Sequence, residues 1–452
     1  MKQRHFALAF ALLLVPCMAF AAGNETSANN NADAPTATWS DGVATLLHQN
    51  CASCHRPGQV APMSLLTYKE ARPWAKSIRR VTSARTMPPW FANPEHGDFV
   101  EDSRLTDDQI QMLSDWVAAG APAGDLANAP EAPEFSSEWQ IGDPDVVLTM
   151  APFEITDDME DHYEWVQVTN PLNEDRWIKE IEIRPTFKAG AHHNLTYIGP
   201  PGADLSYVNG LGRTEMDFIA GWAPGVVPMK YREGFGKLLP ANGTIFFQMH
   251  YHKTPGEGTG GIDETSVGLK FYDAPVENKV ATMWIVDPVL RIPPGEANYN
   301  SASSVTFDHA VEVFNFTPHM HLRGKQMKFE ATLPDGTKQV LLDVPKYDFN
   351  WQLTYTPREK LILPAGSRID LYAVFDNSAD NPFNPDPTAT VTFGEATTDE
   401  MMIGFLDYTF LETQYQTDMP TYAVPDHMKE QWKALRQMRE KQKEQEAASG
   451  RD

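Results

Sequence analysis

Hydrophobic positions follow two periods along the chain. From Gly42 to about Ala119 they recur at helical spacing. Val43, Leu46 and Leu47 fall on one face, as do Ile110, Leu113, Trp116 and Val117. The second run opens on Thr106 with Gln109 three residues later, a pair that can cap the helix reciprocally. Gly120 and Pro122 stop it. From about Trp139 the period becomes two. Trp177 to Ile183 alternates apolar and polar residues. Met327–Leu333, Pro334-Asp335-Gly336 and Val340–Leu342 read as strand, turn and strand. Short strands punctuated by Gly and Pro predict β-sandwiches or jelly rolls. Leu239-Pro240-Ala241 and Leu363-Pro364-Ala365 each lead into a similar strand, a weak echo that suggests two related halves. An Ala- and Pro-rich stretch at 121–137 reads as a linker. Asp426–Gln445 reads as a charged helix with a narrow apolar stripe.

The very N-terminus reads as an export signal. Lys2 and Arg4 precede the apolar run Phe6–Met18, and Ala19-Phe20-Ala21 supplies a small-x-small cleavage site. The expected organisation is a signal peptide at 1–21, a flexible leader at 22–40, an all-α domain at 41–122 and a linker at 123–138. Two β-sandwiches follow at 139–275 and 276–412, then a tail at 413–452. Removing Lys2 and Arg4 takes the formal net charge from -24 to -26, since no acid leaves with them. So acidic a chain is poorly suited to nucleic acid or an anionic membrane surface. The signal predicts a periplasmic protein with no stable membrane insertion. Of three cysteines, Cys17 leaves with the signal, so the mature chain keeps Cys51 and Cys54.

Both fall in Cys51-Ala52-Ser53-Cys54-His55, the attachment pattern of c-type haem. Two thiols one helical turn apart add to the porphyrin vinyls, and His55 is placed under the iron. Met87, in Thr86-Met87-Pro88-Pro89-Trp90, is the expected sixth ligand. Met63 follows His55 closely, and Met112 reads as an ordinary helix residue. With helices before and after, this stretch resembles a class I cytochrome c domain. His/Met ligation suits electron transfer. Arg72, Arg79, Arg80 and Arg85 read either as a solvated face or as partners of the haem carboxylates.

Six of the thirteen histidines fall in three groups: His192-His193, His250-Tyr251-His252 and His319-Met320-His321, with His309 a little earlier. Residues two apart on a strand point to one face, so His319 and His321 can hold one metal between them. His250 and His252 share a face likewise. His192 and His193 can share a metal only at a strand end or bulge, which nearby Gly190 favours. Imidazole suits copper, zinc, iron or nickel, and an added thioether selects copper.

The order His192-His193-Asn194-Leu195, Gln248-Met249-His250-Tyr251, His319-Met320-His321 and Thr398-Asp399-Glu400-Met401 resembles the copper type II ascorbate-dependent monooxygenases. These include peptidylglycine α-hydroxylating monooxygenase and dopamine β-monooxygenase. The resemblance spans about residues 140–410 and implies two copper ions beside one haem c. It assigns His192, His193 and His250 to an electron-transfer copper, and His319, His321 and Met401 to the copper that activates O2. The implied fold is two jelly rolls with the coppers facing across an open cleft. His252 has no counterpart ligand and reads as supporting or structural. In peptide hydroxylation an Arg and a Tyr anchor the substrate carboxylate; Thr317 and Phe405 stand there instead. The expected activity is hydroxylation of a small-molecule C–H bond with O2, with electrons arriving from an external donor through the haem. A non-hydroxylating electron carrier or copper-binding protein, or an oxidase that reduces O2, is the alternative.

Overall fold

The computed structural model describes residues 37–135, 139–205, 216–419 and 422–423. The expected signal peptide, most of the leader and the helix at 426–445 lie outside the described residues. Helices form at Val43–Asn50, Tyr68–Ala71, Ala75–Ser83 and Asp107–Ala118. They close over a core that includes Trp39, Leu47, Leu113 and Trp116. The Thr106 cap forms as the spacing requires. Thr106 N donates to Gln109 Oε1 at 2.8 Å, and Gln109 N donates to Thr106 Oγ1 at 3.2 Å. Thr67 and Glu70 make a second such box ahead of Tyr68–Ala71. Among the described residues no helix is long and apolar enough to cross a membrane.

The rest is mostly β-sheet. In the first half, a four-stranded sheet runs Asp161–Thr169, Gly243–His252, Ala191–Pro201, Asp217–Trp222 in spatial order. It packs on a second sheet built around Arg176–Arg184 and Ser266–Phe271, through Ile178, Ile181, Ile245, Phe247 and Leu269. In the second half, Val311–His319, Ile403–Phe410 and Ala281–Val286 lie side by side. The facing sheet orders Tyr299–Thr306, Arg368–Phe375, Gly324–Thr332 and Lys338–Val344. Phe316 of one sheet meets Phe329 of the other at 5.0 Å between ring centroids. Gly404 admits that contact, because a Cβ there would sit 2.6 Å from Phe329. The two echoed sequences occupy matching turns: Leu239 ends one strand before Gly243–His252, and Leu363 ends one before Arg368–Phe375.

The boundaries differ from expectation in two places. The tail does not begin at 413, since Met419 is 8% exposed in the second core and Gln416 donates to Phe410 O at 2.8 Å. More important, the helical part is not a tethered module. Trp90, Ala92 and Phe99 belong to the core of the second half. Trp90 meets Tyr355 at 4.9 Å, Asn93 N donates to Asp343 O at 2.8 Å, and Val100 N donates to Thr356 O at 2.9 Å. The stretch read as a linker runs back along the helices instead, with Trp39 N donating to Pro122 O and Arg56 lying over the Phe135 ring. Apolar burial of the 90–99 loop, not linker length, fixes where the helical part sits.

Candidate metal centre

His192 and His193 enter on the Ala191–Pro201 strand, and His250 on its neighbour Gly243–His252. The ladder between these strands slips between Ala191 and His193, so both rings reach the same side as His250. His193 Nδ1 lies 3.2 Å from His192 Nδ1 and 3.4 Å from His250 Nδ1. Three imidazoles each about 2.0–2.1 Å from one tetrahedral metal have nitrogens roughly 3.3 Å apart. Bare lone pairs at that spacing repel, and a shared cation relieves them. His250 Nε2 donates to Asp161 Oδ1 at 2.6 Å, which leaves its Nδ1 free for the metal. Thr397 Oγ1 donates to the same oxygen at 2.8 Å. Burial works to raise the Asp161 pKa, but bonds from His250, His252 and Thr397 outweigh it and hold the carboxylate ionised. Asp161→Ala is expected to weaken metal binding by this trio about 10–100-fold. Competition against a chelating dye measures that loss, and unchanged affinity would remove Asp161 from the site.

The second pair sits at the end of Val311–His319. Nδ1 of His319 donates to Gln352 Oε1 at 2.6 Å, and Gln352 Nε2 donates to Phe349 O, which orients the amide. Nδ1 of His321 donates to the Asp399 carbonyl at 3.2 Å. Both rings therefore keep Nε2 for a metal. Burial pushes His319 down to about 4, with the nearby His250 adding to the effect. Burial and neighbouring histidines hold His192, His193 and His321 well below the usual range. All are neutral at pH 7, the form that binds metal.

Met401 and Met402 separate clearly. Met402 is fully buried in the core of the second half, whereas Met401 is partly buried near Ile403 and Phe405. The amides of His321 and Met401 both donate to Glu400 Oε2, at 2.9 and 3.1 Å, so the two residues are neighbours. Glu400 is fully buried, and burial pushes it up to about 7 against those backbone bonds. Arg323, 1% exposed, packs behind it and donates to Asn377 and Thr398. Lys325 is tied to Ala297 and Asn298, and His309 stacks on Tyr415; neither joins the site.

The two sets do not face across an open cleft. His193 and His319 ring centroids lie 5.7 Å apart. Phe349 stacks on His192 at 4.2 Å. A buried ion pair, Lys237 Nζ to Asp407 Oδ1 at 2.9 Å, ties the two halves together. Tyr231 and Asn315 donate to Asp407 Oδ2, each at 3.1 Å. His252, its side chain 34% exposed, lies 3.4 Å from Asp161 at the edge of the trio.

One cavity of about 1170 Å³ is lined by His192, His193 and His319 and also by Cys51, Cys54, His55 and Met87. Leu47, Leu65, Ile78 and Val81 give its helical end apolar walls, as a porphyrin requires. Cys51 and Cys54 are free thiols, and His55 Nδ1 and Trp90 Nε1 are buried with no hydrogen-bond partner. These residues fit a covalent haem. Met63 and Met112 pack against the helical core and do not line the cavity. Nor do the four arginines: Arg72, Arg79 and Arg80 are exposed, and Arg85 pairs with Asp107.

Sequence reasoning missed Asp161, Phe349, Gln352 and Thr397. Gln352 and Phe349 lie in an aromatic stretch, Tyr347 to Tyr355, that touches both histidine sets and the Trp90 loop. Its composition was the available signal. Asp161 and Thr397 carried none, because they meet His250 only across the fold.

Comparison with protein-family models finds no match, and comparison with curated proteins finds none either. Among solved structures, the major capsid protein P2 from bacteriophage PM2 is 10% identical, with a TM-score of 0.26 over 59% of this chain and 97% of that one. Infectious bursal disease virus VP2 is 8% identical, with a TM-score of 0.16 over 64% and 86%. A xanthan lyase from Paenibacillus is 9% identical, with a TM-score of 0.16 over 63% and 28%. Likenesses this low carry no argument about function.

Proposed function

We propose that this chain is a periplasmic copper-dependent monooxygenase that hydroxylates a small molecule and carries its own c-type haem as electron relay. The observation that carries the reading is the convergence of three histidine Nδ1 atoms at 3.2 and 3.4 Å, with His192, His193 and His319 lining the same cavity as a haem-attachment motif. In this reading the helical part is a class I cytochrome c domain and the two β halves are jelly rolls. His192, His193 and His250 hold one copper; His319, His321 and Met401 hold the other. Copper at these donors supplies O2 activation, and the haem held by Cys51, Cys54, His55 and Met87 supplies electrons. Asp161, Gln352 and the Asp399 carbonyl fix which ring nitrogen faces each metal. Phe349 stacks on His192 and covers that ring face.

The test uses the full chain matured with haem and copper. Elemental analysis is expected to find two coppers per haem, and ¹⁸O2 turnover is expected to place one labelled atom in product. A single copper in fully loaded protein sinks the two-site assignment. O2 consumption that yields only reduced oxygen, with no labelled product, favours the oxidase reading.

A further inference from the structure

We propose that the cavity selects an uncharged, ring-bearing small molecule; this rests on the monooxygenase reading and names its substrate class. Five charged side chains besides the histidines line the cavity: Glu101, Glu182, Lys188, Lys230 and Asp407. Each is already held by the protein. Glu101 accepts from Thr356 N, and Glu182 from Ile141 N. Lys188 donates to the Gly58 carbonyl and to Gln59. Lys230 pairs with Glu180, and Asp407 with Lys237. Asp407 is saturated, because Thr282, Tyr231 and Asn315 also donate to it. Among the described residues no arginine lines the cavity.

A ligand carboxylate or ammonium entering here sheds its water and must compete with these existing bonds for a counter-charge, which is unfavourable. What the cavity does offer beside His319 is aromatic. Phe405 lies 6.2 Å from the His319 ring and stacks on Phe218 at 5.3 Å. Phe314, Trp351 and Leu353 extend the apolar lining. Flat apolar walls favour a ring.

One neutral polar feature completes the site. Thr317 Oγ1 lies 2.9 Å from Thr354 Oγ1, and both residues line the cavity. Thr317 stands two residues before His319 on the same strand, hence on the same face. Two hydroxyls in one mutual bond leave one hydrogen and several lone pairs to spare. That pair takes a hydroxyl or carbonyl oxygen of a neutral ligand without supplying charge.

The experiment is calorimetric titration of the anaerobic, copper- and haem-loaded full chain with 4-ethylbenzyl alcohol, 4-ethylbenzoate and 4-ethylbenzylammonium at pH 7. The three share a skeleton and differ in charge. The alcohol is expected to bind at least tenfold more tightly than either ion. Thr317→Val is expected to weaken the alcohol severalfold while copper content stays at the wild-type value. Thr317→Arg is expected to create binding of 4-ethylbenzoate that the wild type lacks. Equal or tighter binding of either ion by the wild type overturns the proposal, and so does failure of all three to bind. Selective binding of the alcohol with no ¹⁸O incorporation into any bound neutral ring compound retires the monooxygenase reading and leaves the charge selection standing. Labelled product from the ions in preference to the alcohol does the reverse.

Discussion

Replacing Trp90 with alanine is expected to destabilise the protein by about 3–5 kcal/mol and, on the haem reading, to disturb the haem in the same step. The two effects are linked by position. Trp90 is 7% exposed, set edge-on against Tyr355 at 4.9 Å, in the core of the second β half. It also lines the cavity beside Met87, three residues earlier in the chain. Removing the indole leaves a void that the rigid sheets fill poorly. It also loosens the anchor of the loop that presents the Met87 thioether. On the haem reading, the Met-dependent absorption should diminish and the midpoint potential should fall, because the Met ligand raises it. Trp90→Phe should retain most of the stability, since Phe can still pack on Phe99 and Tyr355, and should lose the pyrrole ring with its unpartnered N–H. Denaturant unfolding and a redox titration of the same samples read both effects. An intact haem spectrum in a clearly destabilised Trp90→Ala protein would mean that the sandwich does not govern Met87.

Asp407→Ala is expected to cost about 3–5 kcal/mol, because it strands the Lys237 ammonium in the interior. Lys237 is 3% exposed and Asp407 1%. The pair joins the strand Phe235–Leu239 of the first half to Ile403–Phe410 of the second. Its loss should free the halves to separate, and with them the His193 and His319 rings now 5.7 Å apart. Faster modification of histidines by an acylating reagent would report that opening. The double variant Lys237→Met/Asp407→Ala should recover part of the stability, since no lone charge is then buried. If it is as unstable as Asp407→Ala, the bonds from Tyr231 and Asn315 matter more than the ion pair.

Much of the architecture was legible from local pattern. The cap at Thr106, the hairpin closed by Pro334-Asp335-Gly336 and the matching turns after Leu239 and Leu363 depend on residues a few positions apart. The histidine groups were legible for the same reason. His319 ends its strand and His321 lies two residues past that end, held there by Glu400 and the Asp399 carbonyl, while Gly190 precedes the slipped ladder at His192-His193. The choice of Met401 over Met402 rested on the resemblance through Asp399-Glu400-Met401; the structure adds that Met402 is fully buried in the second core and Met401 only partly buried.

By itself the sequence determined the order of helical and β segments, the caps and turns, the pairing of Cys51, Cys54 and His55 in one motif, and the histidine groups. All of these follow from backbone periodicity and short spacings, which local sterics enforce. The tertiary structure alone decided that the Trp90 loop enters the second core, that Asp161 and Gln352 orient histidines 89 and 33 residues away, and that the two histidine sets meet. Those outcomes turn on which apolar surfaces bury one another and which buried polar atoms then find partners. Neither is written in the spacing of residues along the chain, because both are set by atoms that come together only when the whole chain has folded.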